Sequence, residues 1–330
     1  MADNQGVLVF GEVKGGALTG GAREGVALGL QLLEQAGGEV AAIVIGPGAE
    51  GHAKALVESG AQKVYTLESA DLADYQPDAY LQVMAKAVET ASPKIIVLGQ
   101  SDIGKDLAPK LAFRLNASLS MDCVTVSLEG GKLVATKPVY GGNAQAMYES
   151  DAATHIVTIR AKAIEALEPN SSRQGSIEAL EVSIDESQIK VRVVEVKSEE
   201  AEGIRLEDAP VVIAGGRGFG GPEPFEQLEE LAKVLGGAVG ASRAVCDAGW
   251  MDHSIQVGLT GKTVTPDLYI AIAISGASQH MAGCSGSKNI VAINKDKDSN
   301  IFKESRFGVV GTWEEVLPAF IEMVKELRGS

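Results

Sequence analysis

The stretch QVGLTGKTVTPDLYIAIAISGASQH, residues 256–280, places a short apolar run between two turns that are rich in glycine, serine and threonine. The run LYIAIAI is typical of a strand that is buried on both faces, as in a parallel sheet. Such sheets bind their ligands at the carboxyl ends of the strands. Because ISGASQH begins where this strand is predicted to end, the stretch predicts both a strand of an α/β sheet and a ligand site beside it.

The same alternation of strands and helices surrounds this stretch. The runs VVIAGG, AVGASR, NIVAIN and FGVVG predict strands, whereas PFEQLEELAKVLGG and WEEVLPAFIEMVKELR predict amphipathic helices. Strands that alternate with helices form mainly parallel sheets with right-handed crossovers. Residues 211–330 are therefore predicted to form a Rossmann-like α/β domain.

A second α/β domain is predicted over residues 1–197. The strands GVLVF, VAAIVIG, KVYTL and KIIVLG alternate with helical patterns, again as in a parallel sheet. From Ser120 the pattern changes to consecutive strands joined by a Gly-Gly turn, which predicts an antiparallel β extension that continues through GSIEALEVSI and IKVRVVEVK. The acidic segment 198–210 is nearly free of apolar residues and is interpreted as the linker between the domains.

Charge and cysteine content exclude several functions. The formal net charge of the 330 residues is −15, which argues against nucleic acid as a partner because phosphates attract basic surfaces. Cys123, Cys246 and Cys284 show no metal-ligand spacing, so neither a metal site nor a disulfide framework is expected, and a cytoplasmic location is predicted. No apolar run approaches the roughly 20 residues of a membrane helix, so direct membrane insertion is not expected.

The segment GGRGFGG, residues 215–221, leaves two interpretations open. It contains G-x-G-x-x-G at Gly216, Gly218 and Gly221, between a predicted strand and a predicted helix. This spacing is found in dinucleotide-binding folds, so one interpretation is an NAD-dependent oxidoreductase. Two prolines follow and delay the start of the helix, so a purely structural glycine turn is the other interpretation. The arginine inside the segment favours recognition of a phosphate group.

Three predicted loops are more specific when taken together. GASR, QVGLTG and ISGASQH are predicted to lie at the carboxyl ends of strands of one sheet, and they supply hydroxyl groups, a guanidinium group and an imidazole. The small residues from Ser275 to Ser278 allow backbone N–H groups to approach an anion, and a helix that starts near Ser278 would direct its positive end at a pyrophosphate. The set suits a phosphate-bearing cofactor whose ring gains negative charge, and no serine has an evident His–Asp relay for hydrolysis.

The motifs GGRG, VGASR…DAGW, QVGLTGKTVTPDLYIAIAISGASQHMAG and IVAINKD together resemble the alpha subunit of electron-transfer flavoproteins. The resemblance covers essentially the whole chain. It implies a heterodimer with a beta subunit, with FAD held in the second domain of alpha. The first domain, which resembles adenine-nucleotide hydrolases in fold, would pair with beta. The resemblance further implies acyl-CoA-type dehydrogenases and a quinone reductase as redox partners, or an electron-bifurcating complex that holds a second FAD in beta.

Position by position, the resemblance implies a cofactor-binding set and no catalytic residue. Arg217 would contact the FAD diphosphate, and Arg243 would lie over the isoalloxazine ring. Thr260 would reach flavin N5, and His280 would reach the N1/O2 edge. The full set is Arg217, Ser242, Arg243, Val257, Gly258, Leu259, Thr260, Ser275, Gly276, Ala277, Ser278, Gln279, His280, Asn294, Thr312 and Trp313.

Two positions depart from the pattern of the family. Many relatives have glutamine where this chain has Leu259, so one hydrogen bond to the flavin is expected to be absent. Many also read DLF near the adenine, where this chain has Thr312 and Trp313. Asn294 is expected to belong to the adenosine half of the site.

Overall fold

The chain divides into two compact units. The computed structural model describes residues 4–142, 144–196 and 204–329. Unit 1 comprises the described residues of 1–138 and 145–197, and unit 2 those of 139–144 and 198–330. Part of the predicted linker, residues 198–203, lies outside the described residues. The domain limits that the sequence suggested therefore stay predictions.

Unit 1 is built on a seven-stranded sheet in the order β12-β5-β4-β1-β6-β11-β7, in which every neighbouring pair is parallel. A small sheet in the order β10-β9-β8 and the hairpin β2-β3 lie beside it. The elements are β1 (Val7–Phe10), β2 (Val13–Lys14), β3 (Ala17–Leu18), α1 (Gly20–Ala36), β4 (Val40–Ile45), α2 (Ala49–Ser59), β5 (Lys63–Leu67), α3 (Pro77–Ala91), β6 (Ile95–Gly99), α4 (Asp102–Leu115), β7 (Ser118–Cys123), β8 (Thr125–Glu129), β9 (Lys132–Val139), β10 (Ala144–Ser150), β11 (His155–Ile159) and β12 (Ser176–Ala179).

The antiparallel extension is smaller than the sequence predicts. The strands β7 and β11, which the sequence pattern assigns to it, run parallel in the main sheet, and β12 pairs in parallel with β5. All five residues of β11 are buried, and a strand buried on both faces takes an interior place in a sheet. The run IKVRVVEVK is not a strand over its described residues, because backbone N–H groups of Lys190 and Val191 donate to the carboxylate of Asp78 instead of to a neighbouring strand.

Unit 2 contains a six-stranded parallel sheet in the order β15-β14-β13-β16-β17-β18. Numbered within the unit, this is the Rossmann order 3-2-1-4-5-6. The elements are β13 (Val211–Gly215), α5 (Phe225–Leu235), β14 (Ala238–Ser242), α6 (Arg243–Cys246), β15 (Gln256–Val257), β16 (Leu268–Ile272), α7 (Ser278–Met281), β17 (Ile290–Asn294), α8 (Ile301–Glu304), β18 (Phe307–Val310) and α9 (Trp313–Arg328). The predicted fold class, two α/β domains with mainly parallel sheets, is confirmed.

Local sequence explains the helices that cover the second sheet. In α5 the buried residues Phe225, Leu228, Leu231 and Ala232 recur at helical spacing and face the core. The helix ends at Gly236, whose φ of +66° suits a residue without a side chain. Among the described residues, no helix is both long and apolar enough to cross a membrane.

Candidate cofactor site

A cavity of about 750 Å³ lies at the carboxyl ends of the strands of unit 2. The loops that follow β13, β14, β15, β16 and β17 all contribute to its wall. This volume is in the range of sites for small molecules and cofactors, and the position is where doubly wound sheets bind ligands. The lining residues are Arg217, Gly218, Ser242, Arg243, Ala244, Asp247, Gln256, Val257, Gly258, Leu259, Thr260, Ala273, Ile274, Ser275, Ala277, Gln279, His280, Asn294, Asp296 and Ser299.

The structure brings most of the sequence-predicted residues to this cavity. Those that line it are Arg217, Ser242, Arg243, Val257, Gly258, Leu259, Thr260, Ser275, Ala277, Gln279, His280 and Asn294. Gly276 and Ser278 instead line a smaller neighbouring cavity of about 270 Å³. Thr312 and Trp313 are not among the described residues that line either cavity.

Thr312 and Trp313 have structural contacts of their own. The Thr312 hydroxyl donates to the carboxylate of Glu315 at 3.1 Å, at the start of α9. The Trp313 ring packs edge-on against Phe219, with 5.2 Å between the ring centroids. These contacts account for both side chains without a ligand, and their predicted role at the adenine stays a prediction.

The turn after β15 is held by its own side chains. Gln256, which is buried, donates from Nε2 to Oγ1 of Thr260 at 3.1 Å. The Thr260 hydroxyl therefore accepts one hydrogen bond within the protein and keeps its own proton to donate elsewhere. The N–H of Leu259 donates to the carbonyl of Gln279 at 2.7 Å, which ties the turn to α7. The Leu259 side chain is 66% exposed.

Glycines of the GGRGFGG segment allow a close approach to the loop after β16. A Cβ at Gly216 would lie 2.1 Å from the carbonyl oxygen of Ala273, and one at Gly218 would lie 3.0 Å from the Ala273 Cβ. Ala273 itself has a φ of +58°, in the left-handed region. The helix α5 does not begin until Phe225. The glycine spacing is thus explained by packing between two loops, which favours the structural-turn interpretation over an NAD fingerprint.

Asn294 braces the same loop from the end of β17. Its Nδ2 donates to the carbonyl of Ile274 at 2.8 Å and, more weakly, to Oγ of Ser299 at 3.3 Å. The Ser299 hydroxyl donates in turn to the carbonyl of Ser275 at 3.0 Å. Both amide hydrogens of Asn294 are therefore engaged within the protein, so the residue shapes the cavity wall through the loop that it holds.

Among the predicted residues with a polar side chain, His280 is the one that is buried. It is 7% exposed, and its Nε2 lies 2.9 Å from the hydroxyl oxygen of Tyr269, which is 0% exposed. Its Nδ1 is buried without a hydrogen-bond partner among the described residues. Burial lowers the pKa of His280 to about 4, and the backbone carbonyl of Val257 acts weakly in the opposite direction. The imidazole is therefore neutral at pH 7.

Arg243 forms an ion pair on the cavity wall. Its Nε donates to Oδ2 of Asp247 at 3.2 Å, one turn further along the chain, and the two side chains are 66% and 51% exposed. An ion pair this exposed contributes little to stability. Arg243 nevertheless lines the cavity, so its charge and that of Asp247 both act on whatever the cavity holds.

Sequence reasoning missed several residues of the wall, among them Gln256, Asp296 and Ser299. Asp247, which also lines the cavity, can be recognised in the sequence as a partner of Arg243, since it stands four residues after that arginine and this spacing pairs side chains on a helix. Gln256 opens the quoted stretch, but its role depends on the turn that folds back towards it. Asp296 and Ser299 follow β17 and gave no comparable signal.

Unit 1 also gathers polar side chains at the carboxyl end of its sheet. Ser101 donates to the buried carboxylate of Glu12, and Thr158 donates to Gln100. Glu24, which is 7% exposed, accepts from the N–H of Lys162 at 2.9 Å, and burial raises the pKa of Glu24 to about 7. These groups bond to one another within the fold.

Comparisons with known proteins agree with the geometry. The family model described as "Electron transfer flavoprotein domain" matches residues 7–185, and the one described as "Electron transfer flavoprotein FAD-binding domain" matches residues 205–285. The chain is 44% identical to the electron transfer flavoprotein subunit alpha of Bacillus subtilis, covering 98% of each chain. It is 39% identical to the subunit alpha of Thermoanaerobacterium thermosaccharolyticum, covering 99% of this chain and 100% of the relative.

A further relative, Protein FixB of Clostridium saccharobutylicum, is 38% identical over 99% of this chain and 98% of its own length. None of these matches supports an NAD-dependent oxidoreductase. The FAD-binding domain model includes four of the five loops that form the cavity wall, those that follow β13, β14, β15 and β16. The chain therefore belongs to the electron transfer flavoprotein alpha subunit family, a family of electron-transport flavoproteins, and the cofactor of its second domain is FAD.

Proposed function

We propose that this chain is the alpha subunit of a heterodimeric electron-transfer flavoprotein and that the large cavity of unit 2 holds the flavin of FAD. In this role the protein takes electrons from acyl-CoA-type dehydrogenases and passes them to an acceptor such as a quinone reductase. FAD supplies the redox chemistry. The chain binds the cofactor, orients it and adjusts its reduction potential.

The observation that carries this proposal is the buried Nδ1 of His280. A buried polar atom without a partner needs an explanation in a folded protein, and a ligand in the adjacent cavity supplies one for Nδ1 of His280. His280 lines the cavity, where the carbonyl groups of a flavin would supply acceptors. The hydroxyl of Thr260 and the guanidinium groups of Arg217 and Arg243 complete a donor set that suits a ring and a diphosphate which carry negative charge.

Each predicted contact has a different source of support. The free hydroxyl proton of Thr260 supports donation to flavin N5. The position of Arg217 on the wall supports contact with the diphosphate, and that of Arg243 supports contact with the isoalloxazine. Asn294 acts indirectly, through the loop that carries Ser275. Leu259 offers no hydrogen-bonding group, so the flavin has one partner fewer than in relatives with glutamine.

Unit 1 supplies the surface for the beta subunit in this proposal, with domain limits at 1–197, 198–210 and 211–330. A cytoplasmic location, suggested by the cysteine usage, remains part of the proposal. A simple carrier would hold one FAD per heterodimer. Two FAD molecules per heterodimer would show that the complex is of the bifurcating kind.

The experiment is co-expression with an electron transfer flavoprotein beta subunit, followed by measurement of FAD binding to the flavin-depleted complex through the quenching of flavin fluorescence. Thr260→Val removes one hydroxyl at nearly constant shape. A lost hydrogen bond of about 1–1.5 kcal/mol corresponds to a Kd for FAD that is roughly five- to tenfold higher.

Thr125→Val is the matched control, because Thr125 is exposed on β8 of unit 1. It is expected to leave the Kd for FAD unchanged. A complex that is colourless, takes up no FAD and instead titrates with NADH would overturn the proposal. An equal Kd for FAD in both variants would show that the Thr260 hydroxyl does not contribute to FAD binding.

A further inference from the structure

Tyr269 and His280 form a buried pair beneath the cavity. Tyr269 is on β16 and is fully buried, and its hydroxyl oxygen lies 2.9 Å from Nε2 of His280. Tyr269 is not among the described residues that line the cavity, whereas His280 is. A residue in this position acts on a ligand only through its neighbour.

The main chain at His280 is fixed from the other side. A Cβ at Gly258 would lie 3.0 Å from the carbonyl oxygen of Gln279, and one at Gly283 would lie 2.4 Å from the nitrogen of Gly258. The N–H of Val264 donates to the carbonyl of Gly283 at 2.7 Å. The segment that carries His280 therefore packs directly against the turn after β15. This packing fixes the main chain, but it does not fix the orientation of the imidazole ring or the nitrogen that carries its proton.

The groups around the His280 imidazole determine which of its two nitrogens carries the proton. A neutral imidazole carries one N–H and one acceptor nitrogen. Burial raises the pKa of the Tyr269 hydroxyl, so this group keeps its proton and needs an acceptor. The Cys284 thiol is the competing group. It donates to the carbonyl of His280 at 3.6 Å, and a thiol sulfur is a weak acceptor compared with an imidazole nitrogen.

We propose that Tyr269 is a positioning residue of the cofactor site, whose hydroxyl donates to Nε2 of His280 and so holds the imidazole in the neutral form that carries its proton on Nδ1. The N–H at Nδ1 then remains a donor at the wall of the cavity, where a carbonyl oxygen of the flavin would compete for it with the backbone carbonyl of Val257, which acts on the imidazole but forms no well-aligned hydrogen bond to Nδ1. His280 acts as an uncharged donor, and the fixed positive charges of the site are those of arginines. This inference rests on the proposed function, since it assigns the acceptor to FAD.

The first test observes the tautomer without the cofactor. The chain has four histidines, so labelling it with ¹⁵N-histidine and assembling it with an unlabelled beta subunit gives few signals, and His280→Gln identifies those of His280 by their loss. In the flavin-depleted heterodimer at pH 7, the wild type is expected to show His280 with its proton on Nδ1. Tyr269→Phe keeps the ring but removes the donor, so the signals of His280 are expected to shift towards a mixture of both tautomers.

The second test measures the Kd for FAD. When only part of the molecules have the competent tautomer, the apparent Kd rises by the inverse of that fraction. Tyr269→Phe is therefore expected to raise the Kd about two- to tenfold. Tyr75→Phe is the matched control, because Tyr75 in unit 1 also donates a partly buried hydroxyl, to Asp106 at 2.7 Å. It is expected to leave the Kd unchanged.

The outcomes separate this inference from the function on which it rests. A proton on Nε2 in the wild type, or a tautomer and Kd that Tyr269→Phe leaves unchanged, overturns the role of Tyr269 while FAD binding stands. A complex with the expected tautomer that takes up no FAD overturns the proposed function and with it the assigned acceptor. If Tyr269→Phe does not fold, Cys284→Ala decides. A tautomer of His280 that changes in this variant shows that the Tyr269 hydroxyl had donated its hydrogen bond to the sulfur, whereas an unchanged tautomer supports donation to Nε2.

Discussion

The two units share a parallel α/β architecture and differ in what they do with the carboxyl ends of their strands. In unit 1, Glu12 and Ser101 bond to each other at this edge, and Glu24 accepts from a backbone N–H. In unit 2, the corresponding edge forms a cavity of about 750 Å³, and a buried nitrogen of His280 has no partner among the described residues. The fold therefore supplies the location of a site, whereas the loop residues decide whether the polar groups at the edge bond to one another or face a cavity that can hold a ligand.

The largest effect is expected from placing a methyl group at the tightest glycine of each edge. A Cβ at Gly104 would lie 1.9 Å from the carbonyl oxygen of Gly99 in unit 1, and one at Gly216 would lie 2.1 Å from that of Ala273 in unit 2. Neither neighbour is a flexible side chain, so each alanine variant is expected to lose about 3 kcal/mol or more of unfolding free energy in urea.

The comparison predicts different consequences for cofactor binding. Gly216→Ala should also weaken FAD binding, whereas Gly104→Ala should leave the Kd of the folded protein unchanged. Gly51→Ala, on α2 with no atom within 4 Å of the added Cβ, is the control and should stabilise by about 0.5–1 kcal/mol. Normal FAD binding by Gly216→Ala would contradict the claim that the sheet edge of unit 2, unlike that of unit 1, forms the FAD site.

The next effect is a pair of opposite pH dependences. The pKa of Glu24 in unit 1 is raised from 4.5 to about 7, so the folded state loses stability as the pH rises from 4.5 to 7. The pKa of His280 in unit 2 is lowered from 6.5 to about 4, so the folded state loses stability as the pH falls from 6.5 to 4. At about 1.4 kcal/mol per pKa unit, each residue accounts for up to about 3 kcal/mol.

Variants isolate these two contributions. Relative to the wild type, Glu24→Gln should gain stability as the pH rises, and His280→Gln should gain stability as the pH falls. The measurement is the free energy of unfolding of the flavin-depleted protein in urea across pH 4 to 8, taken as the difference from the wild type so that other titrating groups cancel. Parallel curves for variant and wild type would show that the residue ionises alike in the folded and unfolded states.

The smallest effect contrasts the two ion pairs. In unit 1, Arg160 and Asp122 form a two-point pair, with distances of 2.9 Å and 2.6 Å and side chains 18% and 29% exposed. In unit 2, Arg243 and Asp247 share one longer contact on the wall of the cavity. Arg243→Ala should lower the potential for the first electron of bound FAD by roughly 50 mV, because a screened charge near the ring contributes about 1 kcal/mol.

Asp247→Asn should raise the same potential, since it removes the negative charge that offsets Arg243. Arg160→Ala should cost stability and leave the potential unchanged. Potentiometric titration of each complex with FAD bound makes the comparison. An unshifted potential in Arg243→Ala would show that this arginine serves only as the ion-pair partner of Asp247, as Arg160 does for Asp122 in unit 1.

Most of the fold could be predicted because periodicity reports burial. The apolar runs of β1, β4 and β16 and the amphipathic pattern of α9 correspond to elements of the structure. The neighbours of β11 and β12 could not be predicted in this way. A short apolar or alternating run records which faces are buried, but not which strand lies alongside, and that choice depends on contacts far apart in the sequence.

The site could be predicted in its position and only partly in its chemistry. Ser242, Thr260 and Ser275 are in loops predicted to lie at the carboxyl ends of strands, and the carboxyl ends of parallel strands share one edge of the sheet. The pairing of His280 with Tyr269 was hidden, because Tyr269 is an ordinary member of an apolar strand in the sequence. Whether an imidazole is buried and neutral depends on the packing of α7 against a turn, which the residues themselves do not reveal.

Ala273 has a consequence for how this region can be studied. Its left-handed backbone, with a φ of +58°, costs about 1 kcal/mol relative to a glycine in the same place. A glycine would relieve that cost, but it would also give the unfolded chain more conformational freedom, worth about 0.4–1 kcal/mol in the other direction. The two terms nearly cancel, so denaturation would not distinguish the residues. The alanine methyl group restricts the chain beside Gly218 at almost no net expense in stability, and only a probe of the motion of this loop would register its loss.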